Sequence, residues 1–212
     1  MIIDVWSDVV CPWCFIGKRR LEKALSTFAD KDEITIRHRA FQLDPNALET
    51  LPTSQVLSEK YGVDEAGVKS MQANVCAIAD GEGLCYDLDS TLSGNTFDAH
   101  RLLLWAATIN KQDQLLEAMY SSYFEKSKPI FSHADLVAIA IGIGIDADKV
   151  EDILNSGAFS EEVIADRKVA SDLGANGVPF FVIDMKYGIS GAQSVETFTQ
   201  TLETAWAEQL KV

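Results

Sequence analysis

Two cysteines separated by two residues, Cys11-Pro12-Trp13-Cys14, carry the most explicit chemistry in the sequence. A two-residue gap at the start of a helix brings two sulfurs within bonding reach and treats them differently. Cys11 takes the N-terminal position, where free amides and the positive end of the helix dipole favour a thiolate, so it is the expected exposed, attacking sulfur. Cys14 falls one turn on, in line with Gly17, Leu21, Leu25 and Phe28. It is therefore the expected buried partner, which resolves a mixed disulfide by attacking the sulfur of Cys11. Pro12 suits a first helical turn, where its missing N–H is not needed. Trp13 adds no charge, and Asp4 and Asp8 would oppose thiolate formation if they approached the pair, so the Cys11 thiol is expected to be only moderately acidified.

Other chemistries fit the sequence less well. A Cys-x-x-Cys pair can be half of a zinc site, but Cys76 and Cys85 are spaced too widely for a second knuckle, and the expectation is no metal and two free thiols there. Gly142-Ile143-Gly144 lacks the third glycine and the preceding strand of a dinucleotide fingerprint and reads as a helix end. Lys18, Arg19, Arg20 and Lys23 could steer an acidic ligand towards Cys11, although a solvated helix face is the plainer reading.

The elements that must position the pair follow from periodicity. Ile2 to Trp6 reads as a strand, the cysteine motif opens a helix with an apolar stripe through Phe28, and Ile34 to Phe41 reads as a second strand. From about residue 53 to 174 the pattern is helical, with no convincing strand. Helices are expected near 53–61, 64–80, 96–110, 113–126, 132–142, 146–155 and 160–173, with Ser132 and Ser160 at helix starts. Leu102 to Ala107 is apolar all round and is expected to be buried. Strand signal returns at Val178 to Ile183 and, after Asp184-Met185-Lys186, at Tyr187 to Ser190; a helix from Ser194 closes the chain. The fold class is thus α/β, β-α-β then β-β-α in the thioredoxin-like order, with a large all-helical insertion. Its expected division is 1–50 with 175–212 as one domain and 51–174 as the other.

Composition bounds what such a molecule meets. At 212 residues, 47% of them hydrophobic, the chain can bury a substantial core. Its 18 basic and 32 acidic residues give a net charge of −14, which argues against nucleic acid and anionic membranes as partners. Leu136 to Ile145 is too short and too glycine-broken to span a bilayer. Met1 leads into a strand-like run without a basic head or long apolar segment, so the expected setting is the cytoplasm, where a close cysteine pair is catalytic more often than structural.

With these motifs in place the sequence resembles the DsbA-like thioredoxin-fold oxidoreductases, and within them the FrnE-type dithiol–disulfide isomerases. The resemblance rests on Ser7 to Gly17, Phe41-Gln42-Leu43-Asp44-Pro45, Asn95 to Leu102, Gly177 to Val182 and Ile189-Ser190-Gly191-Ala192-Gln193. It implies Cys11 as nucleophile, Cys14 as resolving cysteine, and Pro179 as a cis-proline facing the pair. Pro12, Trp13, Val178 and Pro179 become the expected substrate contacts, with an extended peptide pairing beside Val178. Protein or peptide thiols and disulfides are the implied partners, with no cofactor beyond the redox pair. The same superfamily holds glutathione-using kappa-class transferases and hydroxychromene-carboxylate isomerases, which carry serine where this chain has Cys11. A glutathione co-substrate therefore stays open, with Lys18, Asn95 and His100 as residues of glutathione-binding or structural role. A redox-responsive binding protein is the non-enzymatic alternative.

Overall fold

A computed structural model of the chain describes residues 1–210; residues 211 and 212, the end of the expected 175–212 segment, lie outside the described residues. In chain order the elements are β1 (Ile2–Ser7), α1 (Pro12–Ser26), β2 (Thr35–Ala40), β3 (Leu51–Pro52), α2 (Thr53–Tyr61), α3 (Glu65–Gly81), β4 (Leu92–Ser93) and α4 (Phe97–Thr108). There follow α5 (Gln112–Tyr120), α6 (His133–Gly142), α7 (Ala147–Asn155), α8 (Ser160–Asp172), β5 (Phe180–Ile183), β6 (Tyr187–Ser190) and α9 (Val195–Gln209).

Four strands form one sheet in the order β2-β1-β5-β6. β1 runs parallel to β2 and antiparallel to β5, which forms an antiparallel pair with β6. The inner position of β1 explains its apolar run, because both of its faces are covered. On one face Ile3 and Val5 pack with Leu21 of α1, Phe181 and Ile183 of β5, and Phe198 and Leu202 of α9. On the other, Trp6, Phe180 and Val182 meet Ala170 of α8. The β5–β6 hairpin turns through Asp184 and Met185, both at positive φ, and Lys186 N–H donates to the Ile183 carbonyl at 2.9 Å, as a turn matched to strand twist requires.

Between the two parts of the sheet lies the helical insertion, with a core that includes Leu102, Leu115, Met119, Phe124, Leu136 and Val150. Several starts are capped as their residue types require: Asp64, Asp146 and Ser194 accept first-turn amides, and Ser132 with Asp135 forms a reciprocal capping box. Ser160 does not cap. It is the first helical residue of α8, and the preceding position is Phe159 at φ 63.

Three expectations need correction here. The insertion is not strandless: Leu51 and Pro52 pair antiparallel with Ser93 and Leu92, a contact too short to leave any alternating pattern. The helix expected over 113–126 gives way to a π-helical turn at Ser121–Glu125. Of the run Leu102 to Ala107, only Leu102, Leu103 and Ala106 are buried, while Ala107 is exposed, so α4 presents one face to the core. Among the described residues no helix is long and apolar enough to cross a membrane.

Candidate active site

The cysteine pair stands where β1 hands over to α1. Cys11 is the N-cap residue, extended at φ −90° and ψ 110°, and Pro12 occupies the first helical turn. The Cys11 amide donates to the Asp8 carbonyl at 3.1 Å and the Cys14 amide to the Cys11 carbonyl at 3.0 Å, closing the turn that carries both sulfurs. Tyr86, just beyond α3, donates its hydroxyl to the Pro12 carbonyl at 2.8 Å, so the insertion grips the loop from outside. All four cysteines are free thiols.

Opposite the pair is the segment that enters β5. The Val178–Pro179 peptide is cis, and the Cys11 Sγ lies 3.5 Å from the Val178 carbonyl oxygen as a donor to it. Helix α1 comes this close because residue 17 is glycine: a Cβ there would sit 3.1 Å from both Pro179 Cγ and Phe181 Cζ. The Pro179 carbonyl accepts from the Gly191 amide at 2.8 Å, which ties the segment to the end of β6. Pro12, Trp13 and Val178 are half-buried and Pro179 is buried.

Cys11 was expected to be exposed, and it is not. It is 4% exposed against 2% for Cys14, with its sulfur against the Val178 carbonyl and the residue within the apolar core. The asymmetry between the sulfurs is therefore one of environment. Burial pushes the Cys14 thiol well above its ordinary range, and the neighbouring Cys11 and the Asp8 charge add to the rise. The Tyr120 hydroxyl, fully buried beside them, is pushed up in the same way, with burial again the leading cause.

Asp4 and Asp8 diverge. Asp4 turns to the far side of the sheet, where Arg39 holds it at 2.7 Å. Asp8 is buried behind the cysteine loop, accepting from the Leu43 amide at 2.7 Å and facing His100 Nε2 at 3.3 Å. His100 therefore anchors α4 to the residue whose carbonyl receives the Cys11 amide.

Lys18 requires a correction. It neither lies on a solvated face nor points at a ligand; it is buried and paired with Glu22, Asp113 and Glu117, because α5 packs over this side of α1. Burial acts to lower the ammonium pKa, but the three carboxylates outweigh it and hold the group above its usual range. Arg19 pairs with Glu22 and Glu117, and Arg20 and Lys23 share Glu82, so none of these cations is left free to steer an anion. Asn95 accepts from Gln42 Nε2 at 2.9 Å and lines, with Gln42, Phe97, Phe131 and Arg167, an open cleft of about 770 Å³. Neither cysteine nor Pro179 borders that cleft, so size alone does not mark the reactive site here.

One group near the pair has no counterpart in the motif. His38 lies on β2 opposite Val5, on the sheet face covered by α1, and its Nε2 is 3.2 Å from Asp113 Oδ1. The available signal was its place in the alternation Ile36, His38, Ala40, which puts a polar ring on the core side of a strand.

The profile of the DSBA-like thioredoxin domain matches residues 2–203. Among solved structures, a probable DsbA oxidoreductase from Streptomyces coelicolor is 42% identical, with TM-score 0.94, over 98% of this chain and 91% of that one. A 2-hydroxychromene-2-carboxylate isomerase is similar in fold, at 15% identity and TM-score 0.71 over 100% of this chain and 97% of that chain. The cytosolic disulfide reductase DsbM from Pseudomonas aeruginosa, solved with GSH, is 16% identical at TM-score 0.64, with 100% of both chains covered.

Proposed function

Because the chain belongs to the DSBA-like thioredoxin-domain family, we propose that it exchanges disulfides with protein or peptide thiols through Cys11 and Cys14. The observation that carries the reading is the Cys11 Sγ placed 3.5 Å from the Val178 carbonyl, with Cys14 one turn behind it on α1. A substrate sulfur entering beside Val178 meets Cys11 first. The Cys11 thiolate attacks one sulfur of a substrate disulfide, the other sulfur leaves as a thiolate, and a mixed disulfide forms. The Cys14 thiolate then attacks the Cys11 sulfur, releasing the second substrate sulfur as a thiolate and leaving a Cys11–Cys14 bond. Val178 and the neighbouring Pro12 and Trp13 are half-buried, and an extended peptide pairs with the Val178 backbone in place of the Cys11 thiol that its carbonyl now accepts. The probable DsbA oxidoreductase at 42% identity supports the reaction class. No cofactor beyond the cysteine pair enters this scheme, and the cytoplasm remains the proposed setting.

The test compares insulin reduction and reactivation of scrambled ribonuclease by the native protein, Cys11→Ser and Cys14→Ala. Cys11→Ser is expected to lose turnover, and Cys14→Ala to accumulate peptide disulfide-linked to Cys11, read by mass spectrometry. Equal activity in Cys11→Ser would overturn the reading. A glutathione-dependent isomerase would instead bind glutathione saturably and keep its turnover in Cys14→Ala.

A further inference from the structure

The cysteine loop and the segment entering β5 face each other, and one short stretch of the insertion holds both. Helix α3 ends at Glu82, its C-cap residue, and Gly83 at φ 83° lets the chain turn back. The Gly83 amide donates to the Asp80 carbonyl at 2.9 Å and the Leu84 amide to the Ala79 carbonyl at 3.0 Å, while the Leu84 side chain is buried, so the turn is pinned. Tyr86 then holds the cysteine loop through the Pro12 carbonyl.

Glu82 reaches the opposite side through Arg20 of α1. The Arg20 Nε donates to Glu82 Oε1 at 2.7 Å and its Nη1 to the Ala192 carbonyl at 2.6 Å. Ala192 packs against the core cluster that contains Cys11. It follows Gly191, whose amide donates to the Pro179 carbonyl at 2.8 Å, and the Gln193 amide closes the turn on the Gly191 carbonyl at 3.0 Å. Val178, next to Pro179, accepts from the Cys11 thiol. The Arg20 and Glu82 side chains are only 20% and 12% exposed, so this is not a loose surface pair. Burial acts to raise the Glu82 carboxyl, but Lys23 and Arg20 outweigh it and hold the group below its ordinary range.

We propose that Arg20, oriented by Glu82, is a positioning residue for peptide substrates: through Ala192 and Gly191 it sets the Val178–Pro179 segment at the place where an extended chain pairs with the Val178 backbone while its sulfur meets Cys11. The inference rests on the redox reading above and adds residues that lie outside both the cysteine motif and the segment they position.

Arginine suits the task because its planar fork aims Nε and Nη1 at acceptors on two different elements, a geometry that an ammonium on a flexible stem does not hold. Peptide pairing beside Val178 is made of main-chain hydrogen bonds, which weaken steeply with misalignment. A reacting sulfur displaced by about 1 Å loses roughly a hundredfold in rate. A small disulfide without a peptide backbone makes none of those bonds, so the contribution of Arg20 depends on the substrate.

Two probes with one leaving group separate these effects: Ellman's disulfide, and a blocked peptide whose single cysteine is disulfide-linked to thionitrobenzoate. Both are given to the reduced protein with Cys76 and Cys85 replaced by serine. The Cys11 thiolate attacks the peptide sulfur, the probe's disulfide breaks, and thionitrobenzoate leaves as a thiolate with the bonding pair, because the thiol of lower pKa leaves faster. Arg20→Gln is expected to slow this release about tenfold at low peptide concentration, by raising the half-saturating concentration, while release from Ellman's disulfide stays unchanged. Arg20→Lys should recover part of the loss. Glu82→Gln should shift the peptide rate the same way, and the double variant should lose little more than Arg20→Gln alone. An unchanged peptide rate, or both probes slowed alike, would overturn the proposal, and losses that simply add would remove Glu82 from it. If the chain with Arg20 and Glu82 intact released no more from either probe than Cys11→Ser does, the redox reading itself would fall.

Discussion

The Cys11 sulfur and the Val178 carbonyl meet at 3.5 Å across 167 residues of sequence. That contact joins the first strand–helix junction to the strand that returns after the whole helical insertion. Cys14, behind it, has its thiol pushed well up, chiefly by burial. Iodoacetamide on the reduced native protein is accordingly expected to modify the exposed Cys85 and to leave Cys14 unmodified at pH values up to about 9, where an unperturbed thiol is already largely ionised. Peptide mapping by mass spectrometry reads the order, and early labelling of Cys14 would contradict the assignment.

Gly17 is the residue that permits the approach of α1 to Pro179. Alanine there gains up to about 1 kcal/mol of helix propensity. It also forces Pro179 or Phe181 to move, since a Cβ would lie 3.1 Å from each, and overpacking of this kind costs about 1–3 kcal/mol. Gly17→Ala is expected to lose about 1 kcal/mol in urea unfolding and to lower kcat/KM for a peptide disulfide. A stabilised variant of full activity would mean that the segment entering β5 yields freely.

Tyr86 offers a milder perturbation from outside the helix. Its hydroxyl donates to the Pro12 carbonyl at 2.8 Å, and its ring stacks on Phe15 and Phe124. Tyr86→Phe keeps the stacking and removes one hydrogen bond, so the expected loss of stability is about 0.5–1.5 kcal/mol. The redox potential of the pair, equilibrated against glutathione, should move with it if the loop loosens in only one oxidation state.

Much of this architecture was legible in the sequence because it depends on period and spacing. Cys11 and Cys14, the stripe from Gly17 to Leu21, and the hairpin around Asp184-Met185 each announce their elements within a few residues. The charged cluster of Lys18, His38 and Asp113 was not, since its members come from α1, β2 and α5 and meet only after the sheet and the insertion have packed. Lys18 read as surface because its neighbours Arg19 and Arg20 are basic too, and nothing local shows that α5 covers it. The burial of Cys11 was missed for the same reason: Val178 lies 167 residues away.

Asp113 gives the cluster a signature in acid. The His38 hydrogen bond, then Lys18, holds its carboxyl below the unfolded value of about 3.9. A depressed carboxyl stabilises the fold fully above the unfolded pKa and loses that contribution as pH falls further. Asp113→Asn should therefore be less stable than wild type at pH 7, with the difference shrinking below about pH 4. Solvent screening at so exposed a side chain keeps the difference to about 1 kcal/mol or less. Denaturant melts at several pH values check the sign, and a gap that widens in acid would refute it.

Arg101 tests how the insertion itself is held. It is buried on α4, and its guanidinium donates to the carbonyls of Ile153 at 2.6 Å and Ala158 at 2.8 Å, to the Ser156 carbonyl, and to Asp98 at 2.7 Å. These carbonyls belong to the last turn of α7 and the loop after it; Ile153 also accepts from the Ser156 amide and hydroxyl, so the planar side chain matters most to the Ser156 and Ala158 carbonyls of the loop. Arg101→Met keeps most of the volume but leaves the Ser156 and Ala158 carbonyls without their donor, while Asp98 keeps its contact with His133, and the expected cost is about 3 kcal/mol. In a domain of this size that lowers the melting temperature by roughly 6–12 °C. Arg101→Lys should recover only part of it, because an ammonium cannot span the same set of acceptors. Disulfide exchange per folded molecule should stay near wild type, since the contacts lie on the α7 side of α4 and away from Cys11. A loss of under 1 kcal/mol would mean that the loop after α7 finds other donors.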